Sequence, residues 1–545
     1  AGAGRGRTHR PHPGRRQVAE PLIVWRKIVG DNLNIASLEW AKTHIDKHTD
    51  SNLFPNPFEF SAINSNWHTI RDYLSSIDID TYKTNASIRM LAPKGKSLFR
   101  VTHQLDPLDT LVYTTLVYEA ADLIEKNRID AHQRIACSYR ISLTPNGDFF
   151  PPDNGWSNFH QRSKELAQSG EYSFVLLADI NDFYNQANHH RIENALETAS
   201  IDEKRAKTIE GFLGSLSAKQ SRGLPVGARG SIILAEACLN DVDKHLNNKG
   251  LTFTRYVDDF RVFCKTHKDA VMALYYLTDY LNTSHRLSLQ MTKTKIISVE
   301  KFSTTELRDP DEETSQAKDA KLKKIVDTIL SETGYTIDID DIPDQKKQEA
   351  IRSNLADLLK SSLSPSVNYP LAKYVLVHAA RLRVRVIAPK VLDSLTALST
   401  ILPDAMNYLS AVWPAEPSIS NEWGKKLANF LDTSIVGDLP YIRMWTLHTL
   451  AKRPNALPFS EMLRLAQHTE YVGLRYAALV AKSYKQVEWV RSYKEIWKNN
   501  GPWEQRAILW AGSILPRDER RSWLRAASED SDLITRSVAL LAIQG

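Results

Sequence analysis

Cysteine is scarce in this chain of 545 residues. Cys137, Cys238 and Cys264 are odd in number and far apart, so they provide neither a disulfide framework nor a CxxC metal site. The sequence also lacks a run of about 20 apolar residues, and its N-terminal segment lacks the apolar stretch of a signal peptide. These absences favour a protein of the reducing cytoplasm that has no membrane partner.

The net charge is small and unevenly distributed. The chain has 70 Lys+Arg against 64 Asp+Glu, which gives a formal charge of +6 and a pI of about 8.9. Residues 1–16 contain five arginines and no carboxylate, so the rest of the chain is almost neutral. We interpret residues 1–17 as a basic, flexible tail. A processed end, an expression remnant and a nucleic-acid-binding arm all fit it.

The body of the chain divides into four regions. With 42% hydrophobic and 25% charged residues it can bury a large core, which excludes a disordered chain and a small disulfide scaffold. Residues 18–90 have helical patterns, residues 91–302 alternate strand and helix patterns, residues 303–365 start as a polar linker and continue as helix, and residues 366–545 are helical throughout. This order predicts an α+β region followed by an all-α region.

Apolar alternation within residues 91–302 predicts four strands, at 174–179, 252–256, 260–265 and 294–299. Helical patterns separate the strands at 188–198, 231–246 and 268–284.

The C-terminal region contains an internal repeat. Arg443, Arg475, Arg506 and Arg536 each open an apolar helical segment, and their spacings are 32, 31 and 30 residues. A nearly constant spacing of this size is typical of stacked helix pairs in an α-solenoid. We therefore predict a HEAT-like array, for which a scaffold or interaction surface is the usual role.

Two acidic motifs could carry catalytic chemistry. Asp258 and Asp259 interrupt an alternating pattern that predicts a hairpin, and adjacent carboxylates at its tip repel each other unless a cation neutralises them. Asp179 ends the strand at 174–179, so a hairpin tip beside it could bind two Mg²⁺ or Mn²⁺ ions for nucleotidyl transfer. No His/Cys cluster indicates zinc. Taken alone, the hairpin motif also fits a surface turn.

Glycine-rich and basic segments accompany these carboxylates. The sequence RGLPVG at 222–227 precedes a helix, and its glycines would let the backbone approach a nucleotide or primer closely. Lys293, near the start of the last predicted strand, could reach a departing pyrophosphate. The basic segment at 89–100 fits either phosphate binding or a solvated hairpin.

The order of four motifs resembles the palm of the reverse transcriptases. The motifs are a strand aspartate with an aromatic residue five positions later, GLPxGxxxS, YxDD and KTKI. The resemblance implies fingers and palm over residues 91–302 and a thumb-like region within 303–365. It also implies a DNA polymerase that incorporates dNTPs, binds RNA and/or DNA, and uses Mg²⁺ or Mn²⁺.

The resemblance assigns roles to individual residues. It implies that Asp179, Asp258 and Asp259 are catalytic and metal-binding, with the Ile180 carbonyl nearby, and that the Tyr184 ring excludes a ribose 2′-hydroxyl. Nucleotide contacts are implied for Tyr184, Lys94, Lys96, Arg100, Gly227, Ser231 and Lys293, and primer or hairpin contacts for Tyr256 and Val257.

A narrower resemblance concerns bacterial antiphage reverse transcriptases of the abortive-infection AbiK/AbiA type and related defence groups. The segment at 137–159, ADINDFY and the LAE triplet at 234–236 carry it, together with the helical repeats. It implies a cytoplasmic bacterial protein that forms homo-oligomers and synthesises DNA without a template or from a protein hydroxyl. Val226 and Ala228 depart from residues that are usual in relatives, so template use stays open.

Other functions fit parts of the sequence. A reverse transcriptase that copies a partner non-coding RNA is one alternative, and a nucleic-acid-binding scaffold with an inactive palm is another. Arg443 and His448 form an R-x4-H pair, as in some helical RNases. Arg443 also occupies the repeat position shared with Arg475, so helix packing is the favoured explanation of this pair.

Overall fold

The computed structural model describes residues 32–49, 51–95, 98–153, 155–218, 220–307, 338–341 and 344–545. The predicted basic tail, Lys96 and most of the polar linker that starts at residue 303 lie outside these ranges.

The first part consists of helices around a two-stranded hairpin. Its elements are α1 (Ile35–His48), α2 (Glu59–Ser65), α3 (Trp67–Ser76), β1 (Ile88–Lys94), β2 (Leu98–Gln104) and α4 (Pro107–Asn127). The strands pair antiparallel, with Lys94 opposite Leu98 next to the turn. Met90 and Ala92 share one face and are buried, because this face packs against the C-terminal helices.

The second part contains a four-stranded antiparallel sheet in the order β4-β5-β3-β6. Its elements are α5 (Trp156–Gln168), β3 (Phe174–Asp179), α6 (Phe183–Gln186), α7 (His189–Thr198), α8 (Glu203–Leu216), α9 (Arg229–Asn248), β4 (Thr252–Tyr256), β5 (Asp259–Cys264), α10 (His267–Tyr280), β6 (Lys295–Ser298) and α11 (Val299–Thr305).

β3 is the central strand that presents Asp179. Leu176 and Ala178 face the main core, whereas Val175 and Leu177 face a smaller cluster beneath α5 and α11. Burial on both faces explains why the strand is an apolar run and not an alternating one. A strand fixed on both sides positions its terminal aspartate firmly.

The predicted strands at 174–179 and 252–256 are confirmed, and the other two differ at their ends. β5 starts at Asp259, one residue earlier than predicted, because Asp259 still pairs with Tyr256 and Asp179. β6 is shorter than predicted. The N–H groups of Lys293 and Thr294 donate to the Gln290 carbonyl in a turn before it, and the Ser298 side chain caps α11 after it.

The third part contains helices and connecting loops, with no strand among its described residues. Its helices are α12 (Gln345–Ser362), α13 (Tyr369–Arg381), α14 (Ala388–Asp393), α15 (Leu402–Ala411), α16 (Pro417–Thr433), α17 (Pro440–Ala451), α18 (Phe459–Gln467), α19 (Gly473–Ser483), α20 (Val487–Lys494), α21 (Pro502–Ala511), α22 (Arg517–Ala527) and α23 (Leu533–Gln544). In the described part of the chain, no helix is both long enough and apolar enough to cross a membrane.

The four repeat arginines lie on helices that stack in sequence. α17 packs on α19, α19 on α21, and α21 on α23, while α18 and α22 flank the stack. Each arginine lies in the first half of its helix, and these helices contact one another in chain order. α12 shares the apolar core of α13, although the sequence places it in the thumb-like region.

Buried ion pairs join the C-terminal helices to the first part. Arg475 donates to both oxygens of Glu59, at 2.6 and 2.8 Å, and Arg506 lies 2.5 Å from Asp106. The side chains of Arg506 and Asp106 are fully buried. The indole N–H of Trp503 also donates to the Ala86 carbonyl just before β1. The helical array is thus fastened to the hairpin region.

Candidate active site

The sheet brings the three predicted catalytic aspartates together. Asp179 ends β3 directly opposite Asp259, the first residue of β5. Asp258 precedes it at the hairpin tip, and the Ile180 N–H donates to the Asp258 carbonyl at 3.1 Å. Asp179 is therefore brought together with Asp258 and Asp259, which follow it by 79 and 80 positions in the sequence, in one acidic group at the sheet edge.

The carboxylates disfavour one another's charge. Burial, reinforced by the nearby Asp179, raises the pKa of Asp258. Burial also raises the pKa of Asp259 to about 6, with repulsion from Asp179 and Asp258 adding to it and Arg261 opposing it. Elevated carboxyl pKa values at a cleft indicate a place where added positive charge is stabilising.

The donor set suits a hard divalent cation. Within the described residues, no three or more His, Cys, Asp or Glu side chains stand together as a complete metal centre. Mg²⁺ does not require one, since it is commonly bound by one or two carboxylates with water and substrate phosphates as the other ligands. Asp179 and Asp258, with the Ile180 carbonyl next to them, fit this pattern.

Two lysines contribute positive charge to the acidic group. Lys293 lies 2.6 Å from Asp179, its Nζ donating to Oδ2. Burial lowers the pKa of Lys94 on β1, as do Arg100 and Lys293, while Asp258 and Asp179 oppose the shift. Lys94, on the β1-β2 hairpin, therefore interacts electrostatically with the carboxylates of Asp179 and Asp258. Lys96 lies outside the described residues.

The glycine-rich loop, residues 222–227, connects the β1-β2 hairpin to the segment that follows β3. The His103 N–H on β2 donates to the Val226 carbonyl at 2.9 Å, and the Leu224 N–H donates to the Tyr184 carbonyl at 2.7 Å. Gly227 has a φ of +125°, and a Cβ there would lie 2.8 Å from Ser51 Oγ. Only glycine allows this approach without strain.

Ser231 is placed beneath this loop and not on its surface. Its side chain is buried, its Oγ donates to the Pro225 carbonyl at 2.8 Å, and the Tyr113 hydroxyl lies 3.0 Å away. Like Gly227, it supports the loop, which corrects the expectation of a side chain that faces nucleotide directly.

The two tyrosines predicted at the site have different environments. Tyr184 is half-buried, and burial raises the pKa of its hydroxyl. Tyr256 packs in an aromatic cluster with Tyr139, Trp156 and Phe159, with ring centroids 5.1 to 6.0 Å apart. Tyr256 remains partly exposed, so it packs in the β4-β5 hairpin and is still accessible to a ligand.

A cavity of about 500 Å³ lies between the hairpin strands, the segment after β3 and the glycine-rich loop. Arg89 and Arg222 supply positive charge to its wall, Asn185 and Gln186 supply amides, and Leu224 is among its apolar residues. Charged, amide and apolar groups in one cleft match what phosphates and bases require.

The buried charged residues beneath the β4-β5 hairpin were not predicted from the sequence. Arg255 on β4 is fully buried and bonds to Asp243 and Glu236, both on α9. Glu236 was noted only as part of a family triplet. The available signal was an arginine in a strand whose other residues fit a buried position, since such a charge requires buried partners.

The R-x4-H pair forms no open site. Arg443 is buried and donates to the Thr469 hydroxyl and the Leu465 carbonyl, at 3.0 Å each. Burial lowers the pKa of His448 to about 3. Both residues are used in helix packing, in agreement with the repeat interpretation.

Comparison with known proteins yields one family match. Residues 83–333 match the family described as reverse transcriptase (RNA-dependent DNA polymerase). This range includes all three aspartates, the hairpin, the glycine-rich loop and Lys293. No curated protein matches the chain.

Among solved structures, similar chains include two telomerases solved with a TWJ fragment of telomeric RNA. The one from Candida albicans has a TM-score of 0.31 and 12% identity over 69% of this chain and 68% of its own. The one from Candida tropicalis has 0.33 and 13% over 75% and 68%. Apo telomerase from Candida tropicalis has 0.31 and 11% over 80% and 73%. At these values the likeness does not extend to partners or activity.

Proposed function

Because residues 83–333 carry a reverse transcriptase domain, which makes the chain an RNA-directed DNA polymerase, we propose that it adds dNTPs by two-metal catalysis in antiphage defence. The observation that carries the mechanism is the convergence of Asp179, Asp258 and Asp259 at one sheet edge, facing Lys293 and Lys94.

The carboxylates provide the metal site in this proposal. Asp179 and Asp258 would hold the ions, the Ile180 carbonyl would contribute from the residue after β3, and Asp259 would complete the acidic group. When bound, Mg²⁺ or Mn²⁺ supplies the charge that activates an attacking hydroxyl and neutralises the departing pyrophosphate. The raised pKa values of Asp258 and Asp259 support this assignment, because burial and mutual repulsion disfavour their charges and added cations would offset both effects.

The basic side chains of the cleft bind the triphosphate. Lys94 and Arg100 approach from the β1-β2 hairpin, and Lys293 approaches from the turn before β6. Lys96, which lies outside the described residues, belongs to the same proposed set. Lys94 interacts electrostatically with Asp179 and Asp258. This supports a site in which basic and acidic side chains contact the same nucleotide. Tyr184 lies beside the glycine-rich loop, where its ring would select against a ribose 2′-hydroxyl.

The defence role rests on the narrower sequence resemblance and on the C-terminal helices. In this proposal the stacked helices α17, α19, α21 and α23 form a HEAT-like scaffold, and the protein assembles as a homo-oligomer. The enzyme makes DNA without copying a template, or primes it from a protein hydroxyl. The continuous attachment of the scaffold to the hairpin region supports a combined function for the two parts.

The cavity beside the palm favours a second candidate, a templated enzyme that copies a partner non-coding RNA. Its arginines, amides and apolar walls suit a polynucleotide strand. Sequencing the DNA made by the purified protein separates the two. A complement of one co-purifying RNA supports templating, and homopolymeric or random DNA supports untemplated synthesis.

Replacement of one carboxylate tests the polymerase itself. Asp258→Asn keeps the size of the side chain but removes its charge, so dNTP incorporation should be lost without a fall in the melting temperature. Asp393→Asn, on an exposed aspartate paired with Lys426, is the matched control and should remain active. Continued incorporation by Asp258→Asn would contradict the assignment of the carboxylates, and a wild-type protein that binds nucleic acid without incorporating dNTPs would favour the third possibility, a nucleic-acid-binding scaffold with an inactive palm.

A further inference from the structure

A closed ring of hydrogen bonds surrounds the residue before Asp258. The Val257 N–H donates to Ser138 Oγ at 2.9 Å, and the Val257 carbonyl accepts from Arg255 Nη1 at 2.7 Å. Ser138 Oγ donates in turn to one oxygen of Glu236, and Arg255 Nη2 donates to the other at 3.1 Å. Both polar backbone groups of Val257 are therefore bound to side chains that meet on a single carboxylate.

Val257 requires such support. Its φ is +56°, in the left-handed region that a β-branched residue adopts only under strain. Neither of its hydrogen bonds is to the backbone of the neighbouring strand. Without the ring, the peptide next to Asp258 would relax toward an ordinary turn and move the carboxylate with it.

The ring is anchored below the hairpin by two further charged residues. Asp243 binds Arg255 through both oxygens, at 2.7 and 2.5 Å, and Arg128 donates to Glu236 at 2.7 Å. Arg128 also donates to the Ser138 carbonyl at 2.9 Å. All the side chains of this network are buried, and two arginines balance two carboxylates. A buried, hydrogen-bonded network whose charges balance in this way holds its members in place.

We propose that Ser138, Glu236 and Arg255 are positioning residues that fix the strained Val257 peptide and so aim Asp258 at the reaction centre. The inference rests on the proposed polymerase function. It assigns to this network a role in catalytic geometry, beyond its contribution to folding.

Ser138→Ala is the sharpest test because it removes one hydroxyl from the ring and leaves the charged residues in place. Steady-state incorporation by the full chain should show kcat reduced by about tenfold or more, with the dNTP KM changed by less than about twofold. Mn²⁺ binding without nucleotide, measured by electron paramagnetic resonance, should weaken by several-fold. Arg255→Lys should act in the same way, since its single ammonium cannot bind Asp243 and the Val257 carbonyl with the arginine's fork.

Ser362→Ala is the matched control, because Ser362 is also a fully buried serine whose Oγ donates to a carbonyl, but on α12. It should keep the wild-type kcat and Mn²⁺ affinity. The proposal is overturned if Ser138→Ala equals Ser362→Ala in both measurements, or if its kcat falls only as far as its folded fraction. That failure is distinct from failure of the polymerase assignment, in which Asp258→Asn itself would remain active.

Discussion

Lys293 donates a hydrogen bond to Asp179 across the cleft, with 2.6 Å between Nζ and Oδ2. The lysine is half-exposed on a turn, whereas the aspartate ends a strand that is buried on both faces. Lys293 is thus the more exposed member of the pair. It would compete with the proposed metal ions for the carboxylate of Asp179.

Loss of Lys293 should separate metal binding from turnover. In Lys293→Met the carboxylate of Asp179 no longer has a competing ammonium, so Mn²⁺ binding without nucleotide should tighten by several-fold. Incorporation should slow by about tenfold or more, because a cation near the leaving pyrophosphate is lost. Lys295→Met is the control, since Lys295, the first residue of β6, pairs with Glu306 at the end of α11 and not with the aspartates. Weaker Mn²⁺ binding by Lys293→Met would contradict this view.

The acidic group should make the metal-free protein less stable as the pH rises from about 4 to about 6, compared with a variant that lacks the Asp259 charge. Asp259 has a raised pKa of about 6 against an ordinary value of 3.8, so at this residue the folded state binds more protons than the unfolded state in this window. The contribution of Asp259 to stability therefore falls with rising pH, and Asp258 acts in the same direction. Asp259→Asn should raise the metal-free melting temperature at pH 7.5 and change it little at pH 4.

Added Mn²⁺ or Mg²⁺ should reverse this penalty where the carboxylates are ionised. Thermal scans should show a larger metal-induced shift at pH 7.5 than at pH 5, and a smaller shift in Asp259→Asn than in the wild type. An equal shift at both pH values would exclude the acidic group as the site of binding.

Removal of Arg506 should destabilise the whole fold. Arg506→Met leaves Asp106 buried without a partner, which should cost about 3 to 5 kcal/mol in chemical unfolding. Arg464→Met provides the comparison, because Arg464 pairs with Asp432 and Glu461 while 40% exposed, and its loss should cost less than about 1 kcal/mol. Similar losses for both variants would show that the junction with the hairpin region is not the critical contact.

A side chain at Gly227 should reduce dNTP incorporation without destabilising the C-terminal helices. Gly227→Ala would bring a Cβ within 2.8 Å of Ser51 Oγ at a positive φ, so the glycine-rich loop must shift away from β2. Incorporation should fall by about tenfold or more. Gly211→Ala on α8 has open space around its Cβ and should be fully active and stabilised by up to about 1 kcal/mol.

Local pattern was sufficient for the elements that carry the aspartates. The apolar run before Asp179 predicted β3 to the residue, because burial on both faces excludes polar side chains from it. The hairpin was also predicted, although β5 starts one residue earlier than expected. The repeat arginines lie on helices that contact one another in chain order, and the HEAT-like array itself stays a prediction.

Pattern was insufficient where a side chain finds its partner far away in the sequence. Ser231 fits the motif of a nucleotide contact, yet it is buried against Tyr113 and Pro225. Arg475 and Arg506 open repeats by their spacing, but their partners Glu59 and Asp106 lie about 400 residues earlier. No periodicity encodes such pairs.

The sequence by itself therefore identified the candidate carboxylates, the order of the motifs and the division into α+β and all-α regions, because these depend on residue type and local spacing. Only the tertiary structure shows which side chains hold the peptide before Asp258. The ring through Ser138, Arg255 and Glu236 closes only when α9, the hairpin and the segment before α5 pack together, since a buried charge network depends on distances in space and not on spacing along the chain.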